Sequence, residues 1–332
     1  MALDPRLRSK LNLPAICAPM FLVSGPDLVS AACRAGVVGS LPRQNARTIE
    51  VFEQWLCQIR SECDEFVAEC PEARIGPLAV NLATNFSEDE LAANLALCQQ
   101  YGVEIIISAT GNPTELAKRV HDWGGVIFHD VTSMRLAEKA IKAGVDGLTG
   151  IGAGGGGHSG TISHLVLIPK IRSIFDGVIV LAGAVTNGAA IRAAEVLGAD
   201  LSYLGTRFIA TRESLASAEY KAMIVRGTSS DLMYTPDIAG VAANWMTESL
   251  RAVGLDPAHL PKPATAKISH AHLPEGVKPW RNVWSAGQGI DLINDLPSVA
   301  DLVAGLRRGY VEACAVPHMA EAARLVEGAL QS

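Results

Sequence analysis

Short runs of apolar, mostly β-branched residues recur along the chain. Each is followed by a polar or glycine-bearing loop and then by an Ala/Leu-rich stretch with apolar positions three and four apart. That alternation predicts β/α units. Strands are expected at Pro14 to Ala18, Val37 to Leu41, Leu78 to Leu82, Glu104 to Ala109, Val126 to His129, Gly147 to Gly150, Val178 to Gly183 and Leu201 to Gly205. Ile105-Ile106-Ile107 and Val178-Ile179-Val180-Leu181 are apolar on both faces, as parallel strands covered by helices must be. The expected fold class is α/β, a closed (β/α)8 TIM barrel. Helical segments such as the one beginning Met134-Arg135-Leu136-Ala137 and the one beginning Ala189-Ala190-Ile191 run out at Gly144 and Gly198, which read as helix stops.

The pattern changes after the eighth strand. Residues 213–292 hold helical pieces and a Pro/His-rich stretch from Leu260 to Trp280, and no strand is expected there. This reads as a mainly helical insertion over the barrel mouth, set between a barrel at 1–212 and C-terminal helices at 293–332. An apolar helix pair from Asp301 to Leu330 would return to the barrel.

Composition narrows the function classes. With 49% hydrophobic and 19% charged residues in 332, the chain can bury a large core and is not an extended disordered protein. Its net charge of −6, with no Lys/Arg run, removes the electrostatic basis for nucleic-acid binding. No apolar stretch reaches the length of a bilayer span, and Met1-Ala2-Leu3-Asp4-Pro5-Arg6 does not resemble a secretory leader, so a cytoplasmic protein without membrane partner is expected. The 7 cysteines show no CxxC spacing, and reduced thiols are the default. Cys57, Cys63 and Cys70 suit one partly buried helix and its exit better than a zinc site, and no metal is expected.

Barrel chemistry sits at the C-terminal ends of the strands. Strands seven and eight end in Ala182-Gly183-Ala184 and Leu204-Gly205-Thr206-Arg207, where glycines let backbone N–H groups approach a phosphate. The plainer alternative is that Gly183 and Gly205 only permit tight turns. A third glycine loop follows strand six, Gly154-Gly155-Gly156-Gly157-His158, and lacks the GxGxxG spacing of a nicotinamide fingerprint. His158 stands where an imidazole could take a carbon-bound proton or steady an anion. Asn81, closing strand three, offers an amide to a heterocycle edge or simply caps the turn. His129 and Asp130 are neighbours on one strand and cannot both face the axis; Asp130 is expected at the rim and His129 outward. Lys139 and Lys142 read as a solvated helix face, Trp245, Trp280 and Trp284 as core rather than a ligand cage, and Gln288 as able to reach back to the mouth.

On Ala18-Pro19-Met20, Val80-Asn81-Leu82, Gly156-Gly157-His158-Ser159-Gly160, Ala182-Gly183-Ala184 and Leu204-Gly205-Thr206-Arg207-Phe208, the chain resembles the nitronate monooxygenase family over most of its length. These are FMN-dependent (β/α)8 barrels, formerly called 2-nitropropane dioxygenases. The resemblance implies an oxidoreductase that oxidises alkyl nitronates or nitroalkanes with O2 to carbonyl compounds and nitrite. His158 matches the catalytic histidine. Ala18, Met20 and Asn81 would line the isoalloxazine, and Gly157, Gly183, Ala184, Gly205 and Thr206 would hold the phosphate side. Asp130, Gly156, Ala182, Leu204 and Gln288 complete the implied cofactor contacts. Asp130 stands where many relatives have Lys, the loop before His158 lacks their acidic residue, and the Leu260 to Trp280 segment is longer. Related barrels are NAD(P)H:quinone reductases or reductases and dehydrogenases of enoyl- or acyl-CoA-type substrates, so NAD(P)H is the alternative co-substrate. A homodimer is kept open.

Overall fold

All eight apolar runs form strands: β1 (Ala15–Cys17), β2 (Val38–Pro42), β3 (Leu78–Asn81), β4 (Ile105–Ser108), β5 (Val126–Val131), β6 (Gly147–Ile151), β7 (Val178–Ala182) and β8 (Leu201–Leu204). They close in sequence order into a parallel barrel, β8 pairing with β1 through Ile16 opposite Tyr203. The computed structural model describes residues 3–263 and 270–315.

Alternation along each strand separates two cores. Ile16, Val38, Ile105, Ile107, Phe128 and Val180 fill the barrel axis, where Leu3, Leu7 and Leu11 join them. The short helix Pro5–Ser9 thereby plugs the end of the barrel where the strands begin. Residues of opposite parity, such as Val80, Ile106, Leu148, Ile179 and Leu204, pack into the surrounding helices. Gly144 and Gly198 adopt φ of +82° and +104°, the left-handed geometry expected of helix stops. Helix Ile49–Glu69 carries Cys57 and buried Cys63 and ends at Cys70.

The chain after β8 departs from expectation. It has helices Ala218–Arg226 and Thr247–Ala252, but also two antiparallel strands, β9 (Leu232–Thr235) and β10 (Ala243–Met246). Trp245 on β10 is fully buried in a local core with Ile238, Leu250 and Val283, which is why so short a pair holds. Helix Val299–Cys314 then packs on helix Gly188–Val196, so closely that a Cβ at Gly188 would lie 2.1 Å from Tyr310 N. The remainder of the expected helix pair, residues 316–332, lies outside the described residues. Among the described residues no helix is long and apolar enough to cross a membrane.

Candidate active site

The strand ends converge on a mouth kept open at its glycines. A Cβ built on Gly205 would meet nothing nearer than Met20 Sδ at 3.7 Å and Ala18 Cβ at 3.9 Å, and its φ of −101° is open to any residue. Neither packing nor backbone requires glycine there; what the missing side chain preserves is a hollow beside Ala18 and Met20. Gly157 likewise faces open space. Gly183 and exposed Ala184 turn in succession through φ of +116° and +56°, and Gly154 through +93°, so main-chain groups rather than side chains face the rim. Leu204 differs from its neighbours: its side chain is fully buried in the helix layer and its carbonyl accepts from Ala18 N, so it presents no side chain to the mouth. Ala182 is nearly buried, its carbonyl accepting from Gly152 N and from His164 Nε2.

Beneath the rim the axis-facing side chains turn polar. Asn81 donates to Ile107 O at 3.3 Å and keeps some exposure. Because β5 runs on to Val131, Asp130 shares the parity of Phe128 and faces the axis. His129 points outward and pairs its Nδ1 with Ser108 Oγ at 2.7 Å, and burial takes its pKa down to about 4. Asp130 Oδ1, Tyr203 OH and Ser40 Oγ are each closed to solvent without a hydrogen-bond partner. Burial raises Asp130 to about 7, a hydrogen bond with Thr149 offsetting part of the effect. Tyr203 is pushed well up by burial and then by the nearby Asp130. Orphaned polar atoms of this kind are costly unless something meets them. A polar heterocycle above them, with its phosphate in the glycine hollow, fits both observations.

His158 is fixed by the chain beyond β8. It bridges Ala243, and Asn244 Nδ2 donates to Gly155 O at 2.7 Å. Tyr234 OH donates to Ser159 O at 2.9 Å, Gly287 N donates to Thr206 Oγ1 at 2.8 Å, and Gln288 N donates to Gly154 O at 2.9 Å. Gly156 sits so close to this segment that a Cβ would lie 2.9 Å from Gly287 N. The insertion therefore clamps the glycine loop along its length, and Gly287 ties the insertion in turn to the end of β8. The imidazole has an unpartnered, solvent-closed Nε2, and burial lowers its pKa below the usual 6.5. Trp280 stands edge-on to it, ring centroids 5.5 Å apart, so this tryptophan is not only core.

Sequence reasoning missed Tyr203, Ser40, Thr149 and Phe21. An aromatic or hydroxyl residue inside a strand carries no sign of facing the axis until the barrel's register is known. Phe21 follows the Ala18-Pro19-Met20 motif and could have been found from it.

A closed parallel barrel with an open, glycine-lined C-terminal rim and an unpartnered imidazole above it belongs to the class of barrel enzymes that act on a small molecule. A profile of the nitronate monooxygenase family matches residues 6–309, and the chain belongs to that family, one of oxidoreductases. The chain is 27% identical to a nitronate monooxygenase of Paraburkholderia phytofirmans, the match spanning 90% of this chain and 92% of that one. It is 26% identical to a (3aS,4S,5R,7aS)-5-hydroxy-7a-methyl-1-oxo-octahydro-1H-indene-4-carboxyl-CoA dehydrogenase of Rhodococcus jostii, over 60% of this chain and 53% of that one. Among solved structures, a nitroalkane oxidase from Streptomyces ansochromogenes superposes with a TM-score of 0.74 at 23% identity, covering 92% of this chain and 98% of its own. FabK from Thermotoga maritima does so with 0.73 at 21%, covering 94% and 97%. Both show the shared fold.

Proposed function

We propose that the chain is an FMN-dependent enzyme that oxidises alkyl nitronates or nitroalkanes with O2, with His158 as the proton-accepting group. The observation that carries the reading is His158 itself: an imidazole whose charged form burial disfavours, its Nε2 unpaired, on the same rim as the hollow at Gly205. FMN, when bound, supplies the redox chemistry. Gly183, Ala184, Gly205 and Thr206 would hold its phosphate side, and Ala18, Met20 and Asn81 its rings. Asp130 and Tyr203 would meet polar edges from below. His158 takes the carbon-bound proton of a neutral nitroalkane, or steadies the nitronate once it carries that proton. The insertion keeps the imidazole in place and limits water around it.

Anaerobic mixing of the flavin-loaded protein tests the reading. Bleaching by an alkyl nitronate and not by NADH or NADPH is the expected result. Rapid bleaching by a nicotinamide alone would replace it with a reductase on the same fold.

A further inference from the structure

Among the described residues, those other than glycine with left-handed φ are Leu22, Ala184 and Trp280, and all three border the mouth. Such backbone persists in a bulky residue only where its surroundings impose it. Around Trp280 they do. Trp280 N donates to Val283 O at 2.8 Å, Pro279 bridges Val283, and the indole leans on fully buried Trp245 with centroids 5.0 Å apart at 44°. Trp245 is itself tied by its indole N–H to Thr235 O. Across the opening, Asn45 clamps the loop after β1. It accepts from Leu22 N at 2.8 Å and donates to Met20 O and Ser24 O. That clamp leaves Phe21 43% exposed, its ring 6.5 Å from Trp280 at 86°. The third ring around Trp280 is His158, at 5.5 Å and 84°. Two strained, over-determined loops thus hold half-buried Trp280 between its own core and the imidazole, and leave Phe21 exposed beside Trp280.

We infer that Trp280 and Phe21 form the wall against which the substrate's substituent lies, so that the enzyme prefers carbon acids bearing a flat, apolar group, aryl or cyclic, over short-chain ones. This rests on the reading of His158 as the group that meets the reacting carbon. Trp280 is the specificity-determining residue: its indole packs on Trp245 and also meets the imidazole.

The test is calorimetric titration of the full-length protein as purified, with benzoate and with acetate, planar carboxylates that share the nitronate's shape and charge. Wild type is expected to bind benzoate at least tenfold more tightly than acetate. W280A should reduce that ratio by roughly tenfold, the scale of a lost aromatic pair, W280F should keep most of it, and F21A should lose part. A wild-type ratio near one overturns the inference, and so does a ratio unchanged in W280A and F21A. Should W280A fail to fold, F21A decides alone, since Phe21 is already 43% exposed. Nitronate turnover is read separately. A protein that shows the aryl preference but turns over no nitronate refutes the proposed function and leaves the wall standing.

Discussion

Replacing Asp130 by Asn keeps the side chain's shape and removes its ability to ionise. In the folded chain the carboxyl titrates at about 7 instead of 3.8, because Oδ1 is closed to solvent and unpaired beneath the mouth. A raised carboxyl pKa means that the folded state binds the proton more tightly than the unfolded state does. The resulting stabilisation is complete below 3.8 and is lost as the pH climbs to about 7. About three units at about 1.36 kcal/mol each set an upper limit of about 4 kcal/mol on that loss. Asp130 keeps some exposure toward the opening, so solvent screening brings the expected effect to on the order of 2 kcal/mol. Urea unfolding of D130N and wild type, both freed of flavin, at steps from pH 4 to pH 9, reads it directly. The variant should gain on wild type between pH 4 and pH 7 and hold a constant advantage above pH 8. A difference that ignores pH, or wild type gaining as the pH rises, would show a compensated carboxylate and refute the reasoning.

In H158N, turnover of neutral nitroalkane should fall by roughly 10²-fold while the flavin stays bound. The wild-type kcat/KM profile should rise with pH along a limb whose midpoint lies below 6.5, and unchanged turnover in the variant would remove His158 from the chemistry. G205A should unfold like wild type without flavin, since its Cβ meets ordinary contacts, yet bind FMN at least roughly tenfold more weakly, as judged by fluorescence titration. G188A provides the contrast: its Cβ collides with backbone at Tyr310, so its Tm should drop markedly although it lies in the helix layer, away from the mouth.

The barrel was legible because strands covered on both sides must be apolar throughout, and Ile105-Ile106-Ile107 can be little else. Helix stops at Gly144 and Gly198 followed from left-handed geometry that few other residues adopt. β9 and β10 were not legible: Leu232-Met233-Tyr234-Thr235 and Ala243-Asn244-Trp245-Met246 are four residues each, flanked by Pro236 and glycines. Their stability comes from Trp245 and its distant neighbours rather than from local pattern. At the site, main-chain features could be read from glycine placement, whereas Tyr203 and Ser40 required strand parity around a closed barrel. Trp280 needed tertiary packing to be seen beside His158, and Leu204 was drawn into the site by its motif although its side chain turns outward.

The loop holding His158 takes its fastenings from residues that emerge much later in synthesis: Tyr234 lies 75 positions downstream of Ser159, and Asn244 lies 89 downstream of Gly155. All eight barrel strands lie within residues 15–204 and have emerged before either anchor does. A nascent chain can therefore zip up its eight staves while the imidazole still waits for its anchors. Competence for proton transfer would then be the last property the molecule acquires and, on gentle heating, the first it gives up.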